Sequence, residues 1–334
     1  MYKRIVGALF ILFMGISCTM AQEGEGKIEV VTTLFPTYDF ARQIGKDNVN
    51  VSLLLPPGVE SHTFEPKPQD IVRINKADVF VYTGKFMEPW VEDLLKGISN
   101  KNLVVVDASN GIELMADEDH DEEREDRTED GEHHEGEGEH HEEENHHEGD
   151  HEHHHHGGKD PHIWVDLAND QVMVNTIAQA FAEKDPANSV IYLNNAKEYN
   201  AKLAALDKRF KETLSTAKHK TIIYAGHFAF GYFAKRYGLE HVSPYDGFSP
   251  NAEPSPKAIA ELINKIKGSG MKYIYYEELL DPKVARVISQ ETGAKLELLH
   301  GAHNVSKDEL NSGVTFIDIM EGNLKKLKIG LECQ

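Results

Sequence analysis

Apolar and polar positions along the first hundred residues predict short strands separated by helices. Apolar runs of strand length, rich in β-branched residues, alternate with segments that carry helical spacing or a helix start signal. The predicted strands are 28–34, 49–55, 78–82 and 103–106, and the predicted helices are 38–44, 68–75 and 88–98. This alternation favours a parallel sheet with helices on both faces.

The second half of the chain repeats this alternation. Ser255 can cap a helix that begins at Pro256, which is a common helix start signal. The predicted strands are 221–225, 272–276 and 295–299, and the predicted helices are 228–237, 255–267, 282–292 and 315–327. The sequence therefore predicts a second α/β lobe.

A long helical region, 167–216, lies between the two halves. Pro186 divides it, because proline interrupts a helix interior. The part after Pro186 has no Gly or Pro from 187 to 217, enough for a rod of about 45 Å. Its apolar stripe consists of Leu203, Leu206, Phe210 and Leu214. We interpret this rod as a rigid spine that joins two lobes.

These patterns predict an α/β fold of two lobes, each with a mostly parallel sheet flanked by helices, joined by a long rigid helix. The expected boundaries are an N-terminal lobe at 28–166, linking helices at 167–217 and a C-terminal lobe at 218–334. We expect any ligand to lie between the lobes, where the carboxyl ends of the strands can meet.

Charge is concentrated in one insert. The chain has a net charge of −21, and 20 acidic residues against two arginines give −18 within 117–152, so only −3 remains elsewhere. The insert, 117–158, holds 12 of the 19 histidines and almost no apolar residues, which predicts a mobile surface loop. The rest of the chain has no basic excess, so we expect no nucleic-acid binding.

The first 21 residues have the features of a signal peptide. Lys3 and Arg4 precede an apolar run, Ile5–Ile16, that is too short to span a membrane. Cys18 follows the run and resembles a lipoprotein cleavage site, with simple cleavage near Ala21 as the alternative. We therefore expect export to the periplasm or the outer face of the cytoplasmic membrane, with a lipid anchor at Cys18.

Seven histidines lie outside the insert: His62, His162, His219, His227, His241, His300 and His303. His62 and His227 follow predicted strands, and His300 and His303 follow the last strand. Ligands of open α/β sheets lie beyond the carboxyl ends of strands. Three or four imidazoles meeting there would suit zinc. His219 and His241 lack this placement, and we interpret both as surface or packing residues.

Four segments give the sequence a specific resemblance: GVESHTFEPKPQD, DPHIWVDLAN, YAGHFAFGYFAKRYGL and AEPSPKAIAELI. In this order they resemble segments of the zinc- and manganese-binding solute receptors of ABC transporters, and an acidic histidine-rich insert before DPHIW is typical of the zinc-uptake subgroup. The resemblance implies a receptor that binds Zn2+ between two lobes and hands it to a membrane permease. We expect this receptor to be a monomer. It carries the ligand role onto His62, His162 and His227.

The fourth ligand and the metal are less directly indicated. Many members of that family have an acidic residue after the last strand, where this chain has His300 and His303. These two histidines, Glu60 and water all remain candidates, and we rank the histidines ahead of Glu60. Manganese receptors tend to place a carboxylate where His227 stands. Imidazole ligands favour zinc, and manganese remains the alternative.

Two other functional classes use similar residues. Three histidines and a water also make a hydrolase site, but no predicted helix carries an HExxH motif and no general base is evident, so we expect no enzyme. A zinc-storage or adhesin lipoprotein would bind metal mainly through the insert. Glu277 and Glu278 could form a site pair, but we favour capping or surface roles for them. We expect Trp164 to pack in the core beside His162.

Overall fold

A computed structural model describes residues 26–116, 158–245 and 253–334. The expected signal peptide and Cys18 lie outside the described residues, as does the expected mobile loop except for Gly158. Among the helices of the described ranges, none combines the length and the apolar character needed to cross a bilayer.

The N-terminal lobe is built on a four-stranded, all-parallel sheet with the strand order β2-β1-β3-β4. Its strands are β1 Ile28–Thr32, β2 Val49–Leu53, β3 Val79–Tyr82 and β4 Val104–Asp107. Its helices are α1 Phe35–Gly45, α2 Pro68–Lys76 and α3 Val91–Lys96. Every predicted strand and helix is present. Helix α1 begins three residues earlier than predicted, because Pro36 is tolerated in a first helical turn.

Both faces of this sheet are buried. Neighbouring residues of β1, Val30 and Val31, point into different apolar clusters, as expected for side chains that alternate along a strand. Phe80 of β3 lies in the same outer cluster as Val31. Burial on both faces accounts for the nearly continuous apolar runs that predicted these strands.

The spine consists of α4 Leu167–Lys184, a short 3-10 turn at Pro186–Asn188 and α5 Ser189–Ser215. The junction at Pro186 is confirmed, and the 27 residues of α5 correspond to about 40 Å of helix. Leu203 and Phe210 of the apolar stripe are fully buried. Because α5 packs against helices of both lobes, it fixes their relative positions.

The C-terminal lobe contains two parallel strand pairs, β5–β6 and β7–β8. Its strands are β5 Thr221–Ile223, β6 Glu240–Val242, β7 Tyr273–Tyr276 and β8 Lys295–Leu298. Its helices are α6 Gly231–Tyr237, α7 Pro256–Ser269, α8 Lys283–Thr292, α9 Lys307–Ser312 and α10 Phe316–Gly330. A bridge between Tyr224 and Tyr275 joins the pairs. The sequence did not predict β6 and α9, which are only three and six residues long.

Helix α6 is shorter than predicted. It begins at Gly231 rather than residue 228, so the residues after β5 form a turn that carries His227. Ser255 caps α7 as predicted, accepting a hydrogen bond from the backbone N–H of Ala258.

The C-terminal end of α10 packs closely against β7. A Cβ atom added at Gly330 would overlap the phenol of Tyr275, whereas one added at Gly322 of the same helix would meet nothing within 4 Å. We expect Gly330→Ala to lower the free energy of unfolding by about 1–3 kcal/mol through overpacking. Gly322→Ala should raise it by about 0.5–1 kcal/mol. Urea denaturation of the metal-free variants measures both changes, and equal effects at the two positions would contradict the packing argument.

Candidate metal centre

Four histidines from separate parts of the chain meet at one point. Each of His62, His162, His227 and His303 offers a ring nitrogen that lies within 4.8 Å of the others. The six distances between their ring centroids all fall between 5.1 and 5.6 Å. Four points at nearly equal mutual distances occupy the corners of a tetrahedron. Four nitrogen ligands in a tetrahedron are the arrangement typical of zinc.

The two lobes contribute equally to this cluster. His62 lies in the loop after β2, and His162 lies in the turn that leads into α4. His227 follows β5, and His303 follows β8. The last three are 0 to 7% exposed, whereas His62 is half-buried. The cluster therefore lies in the cleft between the lobes, and His62 is its most accessible member.

A carboxylate faces the Nδ1 atom of three of the imidazoles. The pairs are Asp160–His162 at 2.8 Å, Glu277–His227 at 2.5 Å and Glu278–His303 at 3.1 Å. Carboxylates in this position hold metal-binding imidazoles in one orientation and make the opposite nitrogen a better ligand. The three carboxylates also make the buried pocket attractive to a cation.

The opposite nitrogens, Nε2, are directed at the centre of the cluster. The Nε2 atoms of His62 and His162 are 3.2 Å apart. Those of His227 and His303 are buried and have no hydrogen-bond partner. Buried polar atoms normally have a partner, so these orphaned nitrogens fit a metal ion better than they fit a packed core.

Burial and neighbouring charge shift the pKa values of these groups in different directions. Burial, followed by the three other imidazoles, holds the pKa of His162 well below its ordinary value, which keeps this ring neutral. Burial also acts to lower the pKa of His227, but the hydrogen bond and charge of Glu277 outweigh it and raise the pKa overall. Burial opposes ionisation of Glu278, yet His300 and His303 hold its pKa far below its usual range.

The other candidate ligands lie outside the cluster. The Nδ1 atom of His300 accepts a hydrogen bond from the backbone N–H of Ala302, and its Nε2 lies 3.8 Å from Glu309. The carboxylate of Glu60 accepts hydrogen bonds from the backbone N–H groups of His62 and Thr63, both at 2.8 Å. Of the candidates for the fourth position, the structure brings only His303 together with the other three histidines.

The remaining predicted roles divide into two groups. Trp164 is fully buried beside His162 as expected, and its indole N–H donates to the carbonyl of Gly301. His241 stacks on Phe228, in agreement with a packing role. Glu277 and Glu278, by contrast, contact two of the clustered imidazoles rather than capping a helix or facing solvent. The sequence did contain a signal that these two residues belong to the site, which is their position directly after β7. The carboxyl end of β7 lies at the same sheet edge as the carboxyl ends of β5 and β8.

Comparison with known proteins gives close relatives. The chain is 41% identical to the high-affinity zinc uptake system protein ZnuA of Bacillus subtilis over 331 residues, which cover 98% of this chain and 96% of that protein. It is 34% identical to the zinc-binding lipoprotein AdcA of Streptococcus pneumoniae, across 97% of this chain and 60% of AdcA. The chain thus spans less than two thirds of AdcA.

A solved structure and a family model agree with these relatives. The Zn(II)-bound ZnuA-like domain of Streptococcus pneumoniae AdcA has a TM-score of 0.72 and 31% identity, and the match covers 92% of this chain and 100% of that domain. The family described as zinc-uptake complex component A, periplasmic, matches residues 30–330. The chain therefore belongs to the family of periplasmic component A proteins of zinc-uptake complexes.

Proposed function

We propose that this protein is an extracytoplasmic receptor that binds one zinc ion through His62, His162, His227 and His303 and delivers it to an ABC-type importer. The observation that carries this proposal is the tetrahedral cluster of four imidazoles. Its relatives are named for zinc uptake and zinc binding, and a zinc-bound structure shares its fold. Zinc is then the transported cargo rather than a resident cofactor.

The donor set favours zinc over manganese. Manganese prefers carboxylate, carbonyl and water oxygens, whereas imidazole nitrogens suit zinc. The nearest carboxylates, Asp160, Glu277 and Glu278, each face an Nδ1 atom instead of the centre of the cluster. In this arrangement carboxylates orient the ligands and do not themselves bind the metal.

Geometry also favours a receptor over a hydrolase. Catalytic zinc sites keep one position open for water or substrate, whereas four imidazoles fill a tetrahedral shell. The cavity beside His227 and His303 has a volume of about 20 Å³, which is enough for one ion or one water molecule. Binding followed by release is therefore the activity that the site supports.

The proposal extends to the location and organisation of the chain. The apolar run and Cys18 support export with a lipid anchor. The bounds 28–166, 167–217 and 218–334 divide the chain into a lobe, the linking helices and a second lobe. Because each lobe supplies two ligands, pulling apart either the lobes or a loop that carries a ligand would break the zinc shell and release the ion. We propose that the receptor acts as a monomer.

We also propose that the histidine-rich insert collects zinc and passes it to the cluster. Its 12 histidines beside carboxylates can bind zinc loosely and exchange it quickly. Ala116 and Lys159, which flank the insert, are paired as an antiparallel bridge. A two-residue Asn-Gly turn can therefore replace 117–158 without moving the rest of the chain.

Metal analysis of this insert-deleted chain tests the cluster. We expect one tightly bound zinc per molecule, and His227→Ala in the same background should hold it more weakly because only three of the four nitrogens remain. The control is His219→Ala, which removes a histidine outside the cluster that contacts none of its members and should keep the zinc. A storage protein would instead lose nearly all its zinc with the insert. Competition between zinc and manganese for the purified protein identifies the preferred metal.

The raised pKa of His227 predicts a specific pH dependence. Since Glu277 raises this pKa above 6.5, a proton competes with zinc at a higher pH than for an ordinary histidine, and zinc affinity should already fall as the pH drops toward 6.5. Glu277→Gln removes the cause, so the affinity should be lower at pH 8 but change less between pH 8 and 6.5. Titrations at several pH values measure this, with exposed Glu253→Gln as control. An unchanged slope in Glu277→Gln would refute the role of Glu277.

The insert is tested by growth or uptake in scarce zinc. If it collects zinc, the insert-deleted protein should support slower zinc uptake at low external zinc and normal uptake when zinc is plentiful. The affinity of the four-histidine site should not change. Unchanged uptake at low zinc, together with unchanged zinc stoichiometry, would leave the insert as a solvated acidic linker.

A further inference from the structure

Tyr232, in the first turn of α6, connects the C-terminal lobe to the segment that carries His162. Its side chain is 5% exposed, and its hydroxyl donates to the backbone carbonyl of Asp160 at 3.0 Å. The same hydroxyl accepts a hydrogen bond from the backbone N–H of Met115 at 2.9 Å. Met115 in turn accepts a hydrogen bond from the N–H of Asp160 at 3.1 Å. One phenol therefore holds two backbone segments together.

Asp160 is the residue that orients His162. Its Oδ1 atom accepts hydrogen bonds from both the backbone N–H of His162 and the Nδ1 atom of the ring, at 2.9 and 2.8 Å. A proton held on Nδ1 leaves the lone pair of Nε2 directed at the cluster. Any displacement of the Asp160 backbone would therefore rotate the imidazole of His162 away from the centre.

Glycine at position 231 allows this close approach. A Cβ atom at Gly231 would lie 2.6 Å from Oδ2 of Asp160, so α6 could not dock against this carboxylate with a larger residue there. Near the other end of the helix, Arg236 binds Asp166, at 3.2 Å from Nε to Oδ1. The segment 160–166 is thus attached to α6 on both sides of His162.

We propose that Tyr232 is a positioning residue for zinc binding, which acts through Asp160 to hold the imidazole of His162 in the tetrahedral cluster. This proposal rests on zinc being the ligand of the cluster. His227 lies only four residues before Gly231. The same short segment therefore supplies the ligand His227 and positions the ligand His162. These two of the four ligands therefore belong to one hydrogen-bonded unit.

Helix α6 contains a matched control. Tyr237 also has a phenol that donates a hydrogen bond to an aspartate, Asp207, at 2.9 Å, but near the end of the helix remote from Asp160. Tyr237→Phe removes the same atom from the same helix. It should affect stability through the loss of one buried hydrogen bond while leaving His162 in place.

The test compares Tyr232→Phe and Tyr237→Phe in the full chain. The measurements are the zinc dissociation constant, by competition with a chelator, and the absorption spectrum of the Co2+-loaded protein, which reports ligand geometry. We expect Tyr232→Phe to weaken zinc binding about tenfold, the lower end of the effect of removing a group beside a ligand, and to change the Co2+ spectrum. Tyr237→Phe should preserve both.

The outcomes separate the two proposals. If the unsubstituted protein has no tight zinc site, the proposed function fails. If it binds zinc tightly and Tyr232→Phe retains the wild-type affinity and spectrum, the positioning role is refuted and the function stands. An equal loss in Tyr237→Phe would also refute it, because the effect would then be general destabilisation. Should Tyr232→Phe not fold, the same measurements are made on Gly231→Ala. This substitution displaces Asp160 and should weaken zinc binding in the same way, and an unchanged affinity would refute the positioning role.

Discussion

One ring nitrogen from each of four desolvated imidazoles must face the same point. This requirement explains most of the other features of the molecule. Nitrogen lone pairs held together in a buried cleft without a cation repel one another and have lost their hydrogen bonds to water. Each imidazole therefore needs a partner on the side of the ring that faces away from the cluster. Asp160, Glu277 and Glu278 contact three of the imidazoles there, at Nδ1. The carboxylates also balance the charge of an incoming divalent ion. Binding strength and ligand orientation thus come from the same hydrogen bonds.

The fold supplies this arrangement from parallel sheets. Strand ends of a parallel sheet lie along one edge, so β5, β7 and β8 place His227, Glu277 and His303 close together although they are distant in sequence. Strand β7, which lies between β5 and β8, is followed by Glu277 and Glu278. Its two neighbours are followed by His227 and His303. The spine α5 packs against helices of both lobes, which keeps the two halves of the site facing each other.

Much of this organisation was predictable from local patterns. The apolar runs, Pro186 and the Ser255–Pro256 start signal indicated two α/β lobes and a spine, and histidines at strand ends indicated the site. Local patterns do not report which residues approach from distant segments, so His300 and His303 could not be separated, and Glu277 and Glu278 were assigned ordinary roles. Strand β6 and helix α9 were missed because three and six residues are too few to establish a period.

The attachment of α6 to the segment 160–166 affects how the site can open. His162 and His227 belong to this attached unit, although one comes from each half of the sequence, because Tyr232 and Arg236 connect α6 to Asp160 and Asp166. His62 is the half-buried ligand, in a loop whose turn is held by Glu60. Moving that loop breaks one metal bond, whereas separating α6 from 160–166 would also break buried hydrogen bonds and an ion pair. If zinc binds these four histidines as proposed, its lower-cost route into and out of the site therefore passes His62.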